Sequence, residues 1–211
     1  MAATAHDGLN WRAHALVKKY SPDQALYAER KWASRSFSTK VASRLRGGPQ
    51  KVEGLFLSLL CGEPEDGYAE AAGNLLVTVG LNRITNLIIG GGGVALANAS
   101  TLTGTGDTST AATVGDTKLG SDSSTHSYYQ PADSTFPNQS NGVITNQGTF
   151  ASPNGNYAWA EWGWVIATTP VGSSTFAATG TSPVLVNHKI SALGTKVSGA
   201  SWVFQTTVTL S

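Results

Sequence analysis

Within Tyr157-Ala-Trp159-Ala-Glu161-Trp162-Gly-Trp164-Val-Ile166 the aromatic positions change phase: Tyr157 and Trp159 share one parity, whereas Trp162, Trp164 and Ile166 share the other. Side chains of a strand alternate between faces, so an uninterrupted strand here is aromatic on both. A one-residue bulge near Ala160-Glu161 collects the rings on one face instead. Each indole buries about 150–250 Å² in a core, so this run reads as the anchor of a β domain. The competing reading is an exposed platform on which Trp159, Trp162 or Trp164 stacks against a sugar ring. Alternation in the other strands favours the core.

That alternation is clearest at the end of the chain, where Trp202, Phe204, Thr206, Val208 and Leu210 occupy one parity. Val184, Val186, His188 and Ile190 repeat the pattern one strand earlier. The link Ala192-Leu193-Gly194-Thr195-Lys196-Val197-Ser198-Gly199 suits a hairpin, and the two strands are expected to pair antiparallel. Charged residues make up only 13% of the 211, and the second half is crowded with Gly, Ser, Thr, Ala and Asn. A helix-rich enzyme is seldom built from such material.

Charge divides the chain near residue 70. Residues 11–51 hold ten Lys or Arg against Asp23 and Glu29, whereas every charged residue from Glu53 to Glu70 is acidic. The expected organisation is an arm over 1–72, basic then acidic, followed by a β domain over 73–211. In the arm, Ser21-Pro22-Asp23 is an N-cap with proline in the first turn. Ala25, Leu26, Ala28, Trp32 and Ala33 fit one face of a helix that ends before Gly47-Gly48-Pro49. The apolar run Val52 to Cys61 fits a short helix or a buried strand. Arg30, Lys31, Trp32, Arg35, Lys40, Arg44 and Arg46 are the candidate assembly contacts, with nucleic acid as the weaker alternative partner of that stretch.

Asn74 to Val79 reads as a strand, and Leu81, Ile84, Leu87 and Ile88 as a short helix stopped by Gly90 to Gly93. Glycines that follow a helix do not cradle phosphate as a loop preceding one does. Residues 97–142 read as exposed turns with short strands near Thr117-Lys118-Leu119 and Ser127-Tyr128-Tyr129. Asp107, Asp116, Asp122 and Asp133 are spaced too widely for one calcium loop.

Groups that carry chemistry are sparse. Cys61 is the lone cysteine and is expected as a buried thiol. His126 and His188 fall in no metal-binding spacing, and no Gly-x-Ser-x-Gly elbow occurs. Glu161, the only acidic residue after Asp133, has no second carboxylate nearby in sequence for glycoside hydrolysis. No catalytic residue, cofactor or metal is therefore expected. No run of ~18 apolar residues and no signal-peptide pattern is present, so folding in the cytoplasm of whatever cell makes the chain is expected, without a membrane partner.

The order Gly104-Thr-Gly106-Asp107, then Tyr157-Ala-Trp159-Ala-Glu161-Trp162-Gly163, then Leu193-Gly194-Thr195-Lys196 with Ser198-Gly199 and a closing Trp202 strand resembles a family of tailed-bacteriophage virion structural proteins. The likeness covers about residues 73–211, and the passage from Gly120 to Gly142 is longer than the family pattern. The resemblance implies a non-enzymatic accessory protein of the particle, either head decoration (cement) or minor tail and neck. Its implied partners are capsid or tail subunits and further copies of itself. Together these readings predict a mainly β fold: an antiparallel β-sandwich with one short helix and a partly helical N-terminal arm. Its core anchors are Tyr157, Trp159, Trp162, Trp164, Trp202 and Phe204.

Overall fold

A computed structural model describes residues 11–34, 52–123 and 125–210. In chain order the elements are β1 (Trp11–Tyr20), α1 (Pro22–Ala33), α2 (Gly54–Cys61), β2 (Tyr68–Ala72), β3 (Leu75–Leu76), α3 (Thr78–Ile88) and β4 (Thr101–Gly106). There follow β5 (Ser127–Pro131), β6 (Asn138–Ser140), β7 (Val143–Phe150), β8 (Ala158–Thr168), a 3-10 turn (Phe176–Ala178), β9 (Thr181–Leu185), β10 (Asn187–Thr195) and β11 (Ser201–Leu210). The protein is mainly β. One antiparallel sheet runs β2-β1-β11-β7-β6, and the other runs β3-β10-β8-β4-β5 with β9 continuing β10 along the same edge of β8.

The two sheets face each other across the aromatic core. Trp159, Trp162, Trp164 and Ile166 of β8 meet Trp202, Phe204 and Val208 of β11, Phe150 of β7 and Ala13, Ala15 and Val17 of β1. Trp159 packs edge-on to Phe150 and Trp202 with ring centres 4.6 and 4.8 Å apart, and Trp162 lies 5.5 Å from Phe204. Such edge contacts contribute about 0.5–1.5 kcal/mol each beyond burial. Rings from both sides of the phase change thus share one face. The ladder breaks where the sequence changes phase: Glu161 pairs with Ile190 and Trp159 with Gly194, so Ser191, Ala192 and Leu193 oppose Ala160 alone. Tyr157, just ahead of β8, is partly buried against the same core.

Both outer faces are also covered. Tyr20, Val203, Ala28, Phe56 and Leu57 form a smaller core between the first sheet and α1 and α2. Leu102, Val165, Ala167, Leu185 and Tyr129 form another on the second sheet beneath Leu119 and Val77. Glycines permit the closest approaches: a Cβ on Gly104 would meet the Tyr129 ring at 2.6 Å, and one on Gly106 would collide with the Glu161 carboxylate.

The structure departs from several sequence expectations. Part of the supposed arm is β1, which pairs along its whole length with β11 and along its centre with β2, so it is an interior strand of the first sheet. Basic side chains hid it, because Lys18 and Lys19 flank the buried Val17 and Tyr20. The N-cap at Ser21 starts α1 as expected, with Gln24 completing a capping box that the sequence reading did not include, but the helix ends at Ala33 with Ser34 as its C-cap. Gln24, Ala25 and Ala28 are its buried positions, Trp32 is half-buried, and Leu26 faces solvent. Gly47-Gly48-Pro49, Arg35, Lys40, Arg44 and Arg46 lie outside the described residues.

Of the Val52 to Cys61 run, left open between helix and strand, Gly54–Cys61 forms helix α2, and the described residues hold three α-helices. Only Leu75–Leu76 of the Asn74–Val79 strand is extended, and α3 begins at Thr78. Thr101 to Gly106, read as exposed turns, is a wholly buried strand, while Thr117-Lys118-Leu119 is irregular. Small polar residues carry a β4 that lies between β8 and β5, and such residues leave no apolar alternation to detect.

The expected pairing of β10 with β11 does not occur, since β10 joins β8 and β3 while β11 joins β1 and β7. The intervening link crosses between sheets, and β11 pairs along its length with β1 and over eight positions with β7. Nor do Val186 and His188 share a face. Val186 enters the central core, whereas His188 reaches Glu161 on the opposite side of the sheet.

Candidate functional site

Glu161 is the one carboxylate in an otherwise apolar stretch of β8, and it is fully buried. An ion in that position requires several donors. Three reach it: the backbone N–H of Gly120 (2.8 Å) and of Ser121 (2.7 Å), and His188 Nε2 (2.8 Å). His188, itself only 3% exposed, directs Nδ1 to Asp116 Oδ2 at 2.6 Å. Both ring nitrogens therefore face carboxyl oxygens, and with both acids ionised the two bonds exist together only when the imidazole is doubly protonated. Burial works against that charge, but the hydrogen bonds to Glu161 and Asp116 outweigh it and raise the His188 pKa.

The arrangement continues outward. Asp116 accepts from Thr113 N (2.8 Å) and Thr113 Oγ1 (2.6 Å). Burial alone would raise its pKa, but these bonds and His188 bring it below the ordinary value. Ser121 Oγ donates to Asp107 Oδ1 at 2.8 Å, and the other oxygen of Asp107 pairs with His126. Asp107 too is lowered, its burial outweighed by His126 and Ser121. The segment 107–126 is thus tied to β8 and β10 by a chain of charged contacts.

Chemically this chain holds shape. His188 has no nitrogen left to serve as a base, and its imidazolium lies between Glu161 and Asp116 where a glycosidase would place the scissile bond. Asp107 stands between Ser121 and His126, so the serine is not hydrogen-bonded to a histidine as a nucleophile would be. Among the described residues no group of three or more His, Cys, Asp or Glu has the arrangement of a metal site.

Two further buried ionic positions act similarly. Asp133, 1% exposed, accepts from Gln147 Nε2 (2.9 Å), Thr149 N (3.0 Å), Thr149 Oγ1 (2.6 Å) and the α2 amide of Gly54 (3.3 Å). Glu53, the residue before α2, reciprocates by accepting from Ser134 N and Oγ at 3.1 and 3.0 Å. The carboxylate at the helix start is also favoured by the helix dipole. Asp133 was expected in an exposed turn; it is instead a fastener between α2 and β7.

Lys196 is 1% exposed, and its Nζ donates to Ala151 O (3.1 Å), Ser152 O (3.4 Å) and Asn156 Oδ1 (2.7 Å). These acceptors are neutral, so burial pushes the ammonium down to about 8. Between that value and the ordinary lysine value of ~10.4 the unfolded chain binds more protons than the folded one, so stability rises with pH over this interval. Lys196→Met is expected to flatten that rise in chemical denaturation series run from pH 7 to 10.5; an unchanged slope would mean that the ammonium is not the titrating group.

The sequence candidates fall into two sets. Trp159, Trp162 and Trp164 are at most 1% exposed and Trp202 and Phe204 are buried, so they are core. The sugar-platform reading of the indoles is thereby overturned, because a buried face cannot stack on a ligand. Arg30 and Lys31 lie exposed in the last turn of α1 and are not brought together with the Glu161 network. Cys61 is half-buried, its thiol 3.4 Å from Gln24 O and pushed up by burial.

Sequence reasoning missed Asp116, His188 and Asp133 as partners. One signal was available for the first two: a lone acid between tryptophans demands a cation or donors on the same face. No family model, curated protein or solved structure matches the chain.

Proposed function

We propose that the chain is a non-enzymatic structural component of a tailed-phage virion, an accessory protein attached to the particle as head decoration or as a minor tail or neck subunit. The observation that carries this reading is how the buried and half-buried ionic groups are used. Glu161, His188, Asp116, Asp133 and Lys196 each fasten a loop or helix to the sandwich, which suits a rigid building block more than a reactive cleft. The motif resemblance over residues 73–211 supplies the particle. Capsid or tail subunits and further copies of the chain are the partners, and the virion is the location.

The attachment surface we favour is the outer side of α1 and α2. Leu26 and Tyr27 of α1 and Leu55 and Leu59 of α2 are exposed, Arg30 and Lys31 stand in the last turn of α1, and contiguous exposed apolar patches mark interaction sites. Replacing Leu55 and Leu59 by Asp is expected to leave the melting temperature within a few degrees and to reduce incorporation into particles at least tenfold. Quantitative mass spectrometry of purified particles reads both presence and copy number. Absence of the unaltered chain from particles made by its own phage would sink the proposal; incorporation of the double variant at full level would move the contact elsewhere.

A further inference from the structure

A groove of about 390 Å³ opens beside the central core, lined by Thr125, Tyr128, Pro153, Asn156, Tyr157 and Ser174 among others. We propose that this groove is a binding site for a neutral saccharide. The inference does not depend on the virion reading.

The lining chemistry points to that class. Tyrosine rings, hydroxyls and a carboxamide border the space, and no charged side chain is among the lining residues. A ligand carrying a carboxylate or phosphate would find no cation there, because Lys196 is buried with its ammonium directed at Ala151, Ser152 and Asn156. A sugar offers what such a lining can use: an apolar C–H face for an aromatic ring and hydroxyls for polar edges. The volume lies in the ~300–1,000 Å³ range of small-ligand sites.

The walls are also held in place before any ligand arrives. Lys196 Nζ fixes Asn156 Oδ1 at 2.7 Å, and Asn156 Nδ2 donates to Ser152 O at 2.9 Å. Tyr157 Oη donates to Thr105 O at 3.0 Å, which anchors its ring to β4. Tyr128 packs edge-on to Phe150, ring centres 6.1 Å apart, and Ser127 Oγ donates to Ser174 O at 2.6 Å. Three separate segments are thus immobilised around the opening, which lowers the ordering cost of binding.

The experiment is a titration of the full-length ¹⁵N-labelled protein with glucose, galactose, N-acetylglucosamine, maltose and chitobiose, followed by amide chemical shifts. At least one sugar is expected to give saturable shifts centred on 125–128, 153–157 and 173–174, with a dissociation constant in the millimolar range or tighter. Ser174→Arg, which fills the opening from a half-exposed position, is expected to weaken that binding at least tenfold with little change in melting temperature. Tyr128→Ala is a second variant that removes one ring. The proposal is overturned if none of the five sugars gives saturable shifts, if the shifts map elsewhere, or if folded Ser174→Arg binds as well as the parent.

Discussion

A chain truncated through Tyr20 is expected to lose cooperative unfolding altogether. The segment was read as an arm, and on that reading its removal would leave an intact domain. In the fold, β1 lies between β2 and β11, pairing over ten positions with β11 and five with β2. Its loss removes Val17 and Tyr20 from two cores, at about 1.5–3 kcal/mol for each large side chain. It also strands the ladder groups of β11 and β2, at about 0.5–1.5 kcal/mol per lost hydrogen bond. The sum is of the same size as, or larger than, the ~5–15 kcal/mol by which native domains are stable. Thermal denaturation followed by near-ultraviolet circular dichroism decides the matter: a truncated protein with a sharp transition and native aromatic signal would show the strand to be dispensable.

His188→Leu is expected to cost about 3–5 kcal/mol at pH 6, the usual penalty for removing one partner of a buried ion pair. The substitution leaves Glu161 buried with its two backbone donors, and Asp116 with Thr113. The loss should be coupled to that of Glu161→Gln, so a double-mutant cycle is expected to fall short of additivity by at least 1 kcal/mol. Strict additivity would mean that the two side chains do not interact.

The same group sets a pH dependence. Since the folded pKa of His188 is raised, its contribution is fully present below the unfolded value of ~6.5 and is lost as pH rises through the folded value. Asp116 has the opposite sense: its pKa is lowered, so its contribution is present above ~3.9 and is lost as pH falls through the folded value. The contacts are therefore strongest between about pH 4 and 6.5. Above this window, exchange protection in residues 107–123 should decline in the parent, and His188→Leu should show no such decline.

Legibility followed from the size of the side chains and the distance between partners. The tryptophan phase change at Ala160, the alternation of β11 and the N-cap of α1 at Ser21 are local patterns, and each is found where the sequence places it. Strand β4 was hidden because Thr and Gly carry little apolar signal, though every residue of it is buried. Strand β1 was hidden by its charges, whose stems line a sheet while their heads reach water. The Glu161 network joins residues separated by 27 and 72 positions through His188, and no spacing rule connects positions so far apart.

What the sequence by itself determined is the β class and the identity of the core: indoles of this size, set in alternating strands, have to be buried, and burial of apolar area is read from composition and period alone. Only the tertiary structure decided which strands are neighbours. It put β10 and β11 in different sheets, drew β1 into the interior of one of them, and turned the phase change around Ala160 into a single aromatic face with Glu161 directed at His188. Pairing is a competition among all strands for partners, and a charged group buried by its outcome takes whichever donors the fold has brought within hydrogen-bond reach.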